Sequence, residues 1–161
     1  MTMTRELITS WGDYQAAIDR LLILAVRKIS IYDEDLGHLR LDSPSRLAEL
    51  KRVLLADRNI SRIRVAVRDA ELLRRQQPLL MNLIGEFSHC LSVQQTPEQL
   101  AHLRDTMILV DDKHGLIRFE RDQPRSKLLL DESDELKPYI ARFEDIWSEG
   151  GESVSATTLG L

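Results

Sequence analysis

The sequence predicts an α/β fold, a mixed and mostly parallel sheet sandwiched by helices, on three observations. Apolar residues at period two alternate with apolar residues at helical spacing through the first half of the chain. A cluster of short apolar runs separated by turn sequences follows, and one amphipathic stretch closes the pattern. Alternation of the first kind builds strand–helix–strand units with parallel strands, and the later cluster adds antiparallel edges. The length of 161 residues suits one hydrophobic core. A single domain is therefore expected over residues 1–150, with a C-terminal tail over 151–161.

Taken in order, "WGDYQAAIDRLLILAVR" (11–27) puts Tyr14, Ile18, Leu21, Leu22 and Ala25 on one helical face. "KISIYDED" alternates Ile29 and Ile31 with polar neighbours and reads as a strand ending near Asp33. In "DSPSRLAELKRVLLAD" Ser43 is placed as an N-cap and Pro44 at the first helical position, ahead of Leu47, Leu50, Val53 and Leu54. "ISRIRVAVRD" sets Ile63, Val65 and Val67 at one parity and Arg62, Arg64 and Arg68 at the other, a strand stopping before Asp69. Residues 69–89 read as helix broken around Gln76–Pro78, since proline disfavours helical backbone in its predecessor. "CLSVQQ" is a short strand and "TPEQL" a capped turn. "TMILVDD" and "GLIRFER" flank "DKHG", a turn sequence that suits a hairpin, and "SKLLLD" is a further strand. From Ser133 onward, Leu136, Ile140, Phe143 and Trp147 form one helical face that stops at glycines.

Composition narrows the function classes. With 43% hydrophobic and 30% charged residues the chain has the profile of a globular protein rather than a disordered one. A net charge of −4 supplies no global attraction for nucleic acid or an anionic membrane, although a local basic face is compatible with an acidic total. Neither partner is expected. The longest apolar run, "LLILAV" at 21–26, is far short of the roughly 20 residues that cross a bilayer. "MTMTRELITSW" has no basic-then-apolar leader design, so a cytoplasmic location is expected. Cys90 is the sole cysteine, which excludes an internal disulfide and a thiolate metal cluster. The chain has no GxxxxGK[ST], GxGxxG or GxSxG.

Titratable residues concentrate in the late strands. His102, Asp105, Asp111, Asp112 and His114 gather around one strand and its turns, but period two sends Asp111 and Asp112 to opposite faces. No HxH or HExxH spacing supports them, so no metal and no cofactor are expected. Arg118, Arg121, Arg125 and Lys127 form a basic group suited to phosphate or a small anionic ligand. Glu120 and Asp122 are interleaved with it. Asp33, Asp35 and His38 follow a strand end, where α/β proteins commonly place ligands.

The layout resembles one repeat of the phospholipase D superfamily. "DTMILVDD" (105–112) occupies the place of that superfamily's HxKxxxxD strand, "GLIRF" that of the glycine-containing strand after it, and "ELKPYIARFEDIW" (135–147) is similar to its closing helix, with a Phe followed by a Trp. The resemblance runs from about residue 25 to residue 148. In that superfamily the histidine attacks phosphorus, the lysine stabilises phosphoryl charge and the aspartate orients the histidine. Only Asp112 matches; Asp105 stands at the histidine position and Met107 at the lysine position. Seven residues after His38, His89, His102 and His114 come Ser45, Thr96, Leu109 and Arg121, so no other histidine completes the motif. The resemblance thus implies a degenerate single repeat of a bacterial family, non-catalytic, with a binding or accessory role. His102, Asp105, Asp112, His114, Arg118, Arg125 and Lys127 are its candidate ligand-binding residues. Because single-repeat members pair, it further implies a homodimer with Asp105–Asp112 near the two-fold interface. Two other functions are compatible with the residues. One is a phosphodiesterase or phosphotransferase using His114 or His102 with Arg125 or Lys127. The other is a protein-interaction module docking through residues 152–161.

Overall fold

A computed structural model describes residues 3–57, 59–60 and 62–156. Its elements are β1 (Thr4–Ile8), α1 (Trp11–Leu24), β2 (Ile29–Asp33), α2 (Pro44–Ala56), β3 (Ile63–Val67), α3 (Glu71–Gln76), α4 (Pro78–Glu86) and β4 (Leu91–Gln95). A 3₁₀ turn at Glu98–Leu100 leads to β5 (Thr106–Val110), β6 (His114–Arg118), β7 (Ser126–Leu130), α5 (Ser133–Ser148) and β8 (Glu152–Ser153). All eight strands lie in one sheet of order β1-β7-β6-β5-β2-β3-β4-β8.

The α/β class stands, but the balance of strand directions is the reverse of the expectation. Only β2–β3 and β3–β4 pair in parallel, whereas β1–β7, β7–β6, β6–β5, β5–β2 and β4–β8 are antiparallel. The cause is topological: helical crossovers produce parallel pairs only at β2–β3–β4, and the β5–β6–β7 meander joins the free side of β2 instead of extending that run. A further strand, β1, lies against β7. Its "TRELI" is mostly exposed, so no buried face imposes an alternating pattern. Beyond residue 150, Glu152 and Ser153 pair with Gln95 and Gln94, and Val154 is buried in the core. Part of the expected tail therefore belongs to the sheet; residues 157–161 of the docking peptide lie outside the described residues.

The sheet separates two apolar clusters. On one face Ile29, Ile31, Ile63, Val65, Ile108 and Leu116 meet the buried sides of α1 to α4. On the other, Tyr32, Ala66, Met107, Leu109, Ile117 and Leu129 meet Leu136, Phe143 and Ile146 of α5. Met107 and Leu109 thus face α5 while Ile108 and Val110 face α1, as period two requires. Pro44 opens α2 and Pro78 opens α4, each where the missing N–H is one the helix does not use.

The β5–β6 turn sits earlier than "DKHG" suggests. Asp111 and Asp112 take φ of 55° and 56° and the Lys113 N–H donates to the Val110 carbonyl at 3.0 Å. Two consecutive left-handed residues make a tight hairpin turn, a conformation aspartate tolerates better than most. Gly115 then lies inside β6 for a different reason: a Cβ there would stand 2.6 Å from Leu136 Cδ2 of α5. The glycine lets the helix approach the sheet.

Candidate functional site

One end of the sheet brings together the buried polar side chains of Asp33, Thr96, Thr106, Arg118 and Ser126. We call it the upper edge: β2, β3 and β4 end there, β5 and β7 begin there, and β6 ends there. Asp33, the last residue of β2, and Arg118, the last of β6, form an ion pair at 2.7 Å, each with a side chain 1% exposed. Arg118 Nε donates to Thr106 Oγ1 at 3.1 Å and an Nη to the Arg121 carbonyl at 3.3 Å. The second Asp33 oxygen accepts from the N–H groups of Leu36 and Asp35 at 2.8 and 3.2 Å. The same carboxylate therefore holds the guanidinium and the loop after β2, in which Leu36 adopts a φ of 69°.

Aromatic rings close this pair from the α1 side. The Arg118 guanidinium carbon lies 4.9 Å from the Tyr14 ring centroid and 5.3 Å from that of Trp11, within cation–π range. Trp11 is stacked on His38 at 4.0 Å with 9° between the planes. Burial pushes the Asp33 carboxyl upward, against the pull of Arg118 and the backbone N–H groups. Burial also raises the Tyr14 hydroxyl to about 12 and, with help from Arg118, lowers the His38 imidazole. Arg118 is thus enclosed on all the sides these contacts define, and its donors are directed at protein acceptors.

On the α5 side, Asp105 precedes β5 and receives two hydrogen bonds from Arg142, at 2.8 and 2.7 Å. These bonds hold the Arg142 guanidinium above its ordinary value. Two residues on, Met107 is 1% exposed within the α5 cluster. Tyr32 stands nearby, its hydroxyl raised to about 12 by burial and then by the Asp105 charge.

Between these groups and the ends of β3 and β4 lies a polar cleft of about 560 Å³ lined by Glu34, Asp35, Arg68, Asp69, Gln95, Ala101 and Arg121. Arg68 donates to the Thr96 carbonyl at 2.6 Å and the Pro97 carbonyl at 2.8 Å. Arg121 Nε stands 2.8 Å from Glu34, in an orientation that makes no hydrogen bond. Burial raises the Glu34 carboxyl and Arg121 opposes it. Of the remaining lining carboxylates, Asp35 accepts from Gly37 and Asp69 from Glu71. Just outside, Arg104 grips Glu120 and, at 2.6 Å, Asp122, so the two acids interleaved in the basic segment share one cation from outside it.

The candidate residues read from the sequence divide between opposite ends. His102 and Arg125 are exposed in loops of the upper edge, where Asp105 and Arg118 also lie. Lys127 lies on the α5 face, its Nζ 4.9 Å above the Tyr139 ring. Asp112 and His114 are at the lower edge, a strand length of about 13 Å away by the usual rise per residue. There Asp112 pairs with Lys28 at 2.8 Å, and the buried His114 accepts from the Asp131 N–H through Nδ1 at 2.9 Å. Burial lowers the His114 imidazole. Asp111 accepts from three successive N–H groups, Val26, Arg27 and Lys28, at 2.9, 2.8 and 2.8 Å. Among the described residues no three His, Cys, Asp or Glu side chains assemble as a metal set. In sequence Tyr14 reads only as part of a core-facing helical stripe and Arg142 and Thr106 carry no signal, because each lies in an ordinary helix or strand pattern and acquires its role only from a partner distant in the chain.

The fold is similar to several solved structures. The chromatin protein TrmBL2 from an archaeon, whose structure concerns a mode of DNA binding, superposes with a TM-score of 0.66 at 10% identity over 92% of this chain and 54% of that one. Nuc, a phospholipase D family member from Salmonella typhimurium, superposes with a TM-score of 0.64 at 12% identity, covering 96% of this chain and 99% of that one. NucT from Helicobacter pylori gives 0.60 at 10% identity, covering 94% and 99%. This chain therefore spans about half the length of TrmBL2 and nearly all of the other two. No curated protein matches it in sequence. A family model described as a domain of unknown function, DUF7931, matches residues 11–159.

Proposed function

The chain belongs to the DUF7931 family, and on its phospholipase D-like fold we propose that it binds a ligand or partner rather than cleaving a phosphodiester. The observation that carries this reading is the state of two positions that resemble the superfamily's histidine and lysine. Asp105 is held by two hydrogen bonds from Arg142, and Met107 is buried against α5. A carboxylate repels an attacking approach to an anionic phosphodiester, and a thioether has no charge with which to stabilise the phosphoryl oxygens. Arg118, which donates to Thr106 at that strand's start, is committed to Asp33.

Binding is assigned to the upper edge, where Arg68 and Arg121 line the polar cleft and the exposed His102 and Arg125 stand in loops of the same edge. Carboxyl ends of parallel strands are where open α/β sheets generally take ligands. The rival reading, a hydrolase with an altered site, has to work with one histidine at a time, since His102 and His114 belong to opposite edges. The two readings separate in an assay of bis-p-nitrophenyl phosphate with and without Mg²⁺, Mn²⁺, Ca²⁺ and Zn²⁺. Turnover no greater than buffer is expected; turnover abolished by His102→Ala or His114→Ala would establish the enzyme instead. The protein is further proposed to act as a homodimer through its late strands, by resemblance to single-repeat relatives. Light scattering at tens of micromolar (a range in which moderate dimers form) should give twice the 18.5 kDa chain mass, and a monomer mass refutes this.

A further inference from the structure

The two outer strands of the sheet are protected differently. β1 carries Arg5 and Glu6, held by Glu132 and Arg20 at 3.0 and 2.8 Å, and charges on an edge discourage a further strand. β4, "LSVQQ", has no charged residue, no proline and no left-handed residue. An edge of that composition pairs readily with another chain unless something covers it. The cover is a strap, residues 151–156. Its Glu152 and Ser153 pair antiparallel with Gln95 and Gln94, and its Val154 N–H donates to the Val93 carbonyl at 2.8 Å.

The strap is lightly held. Of its side chains only Val154 is buried, in the cluster that β4 shares with α4, whereas those of Glu152, Ser153 and Ser155 are exposed. The chain enters it through Gly150 and Gly151, at φ of 79° and 143°, and a Cβ at Gly151 would collide with the Gln95 carbonyl. Glycines lose more conformational freedom on ordering than other residues, so this joint opposes closure. Ala156 then crosses α4 at Gly85, where a Cβ would stand 2.9 Å from the Ala156 methyl. A groove of about 370 Å³ remains beside the strap, lined among others by Gly85, Ser88, Ser92 and Trp147. A segment with one buried side chain and a two-residue ladder is of the kind that opens locally while the rest of a domain stays folded.

We propose that the outer edge of β4 is a strand-addition site which the strap closes in cis, and that in trans it takes an extended segment of a partner protein with a β-branched residue between two small polar ones. The strap itself, "SVS" at 153–155, is the example of what fits: its backbone completes the ladder and one branched side chain fills the socket of Val154. Opening bares the backbone groups of Val93–Gln95 and that apolar socket together. Buried backbone groups need partners, and an extended chain supplies them and the side chain at once, which a helix does not. The inference does not depend on the binding role given to the upper edge.

Two measurements on the full chain test it. In hydrogen exchange of the wild type, the Val154 amide should exchange at least about a hundredfold faster than the amides of β3; exchange as slow as that of β3 overturns the proposal, because the strap then opens only when the domain unfolds. In fluorescence anisotropy, a labelled peptide of sequence GGESVSA should bind Val154→Ser at least about tenfold more tightly than the wild type, whose own strap competes from within the molecule. The same peptide with aspartate in place of valine should not bind. Gly151→Ala, which disturbs the entry to the strap and leaves the valine socket intact, should give the same result and supplies it if Val154→Ser does not melt as a folded protein. No binding to either variant, equal binding to variants and wild type, or equal binding of the two peptides overturns the proposal. A wild-type dimer that both variants convert to monomer also overturns it, because the edge is then a contact between copies.

Discussion

Arg118→Ala removes the cation from a pair in which both side chains are 1% exposed. The loss has three parts. Asp33 remains buried among apolar residues with its backbone donors but no counter-charge, and a buried pair broken from one side costs about 3–5 kcal/mol. The Thr106 hydroxyl loses a donor, and the Tyr14 and Trp11 faces lose a cation at 4.9 and 5.3 Å. A loss of about 4 kcal/mol takes a large share of the 5–15 kcal/mol typical of a folded domain. With a urea slope of about 2 kcal/mol per molar for a protein of this size, the unfolding midpoint should fall by about 2 M. Asp33→Leu alone should cost a similar amount, because it strands Arg118. The double variant Arg118→Ala with Asp33→Leu removes both charges, and its destabilisation should fall short of the sum of the two singles by about 2 kcal/mol or more. Urea titrations followed by circular dichroism read all of these. Additive single effects, or a midpoint shift below about 0.5 M for Arg118→Ala, would refute the reasoning and mean that water reaches the pair.

Two further outcomes follow from the lower half of the sheet. Gly115→Ala places a Cβ 2.6 Å from Leu136 Cδ2, and such overpacking should destabilise by about 1–3 kcal/mol; thermal melting reads this, and Leu136→Ala in the same chain should recover part of the loss. His114 is depressed by burial, with Asp111 and Asp131 opposing and Lys113 reinforcing. Its folded-state pKa lies below the unfolded value of about 6.5, so its contribution is complete above that value and is lost as pH falls through the folded-state pKa. Protonation also removes the Nδ1 lone pair that accepts from Asp131. The wild type should lose more urea resistance than His114→Asn between about pH 7.5 and 5, and parallel pH profiles contradict this.

Local chemistry determined much of the chain before any packing is considered. The helical face from Tyr14 to Leu22, the Pro44 start of α2, the break before Pro78 and the parity of Ile63, Val65 and Val67 all follow from backbone sterics and from apolar periodicities spanning a few residues. The resemblance carried by "DTMILVDD" and the closing helix similarly pointed to the phospholipase D-like fold. Tertiary structure alone decided the remainder. Strand direction depends on which side of β2 the β5–β6–β7 meander joins, and nothing local to those strands encodes it. Asp33 and Arg118 are 85 positions apart, and Asp105 and Arg142 are 37 apart; in sequence each is one charged residue among many. Coulombic pairing and desolvation act through space, so a carboxylate becomes a buried anchor or a solvated turn residue only when the fold sets its neighbours.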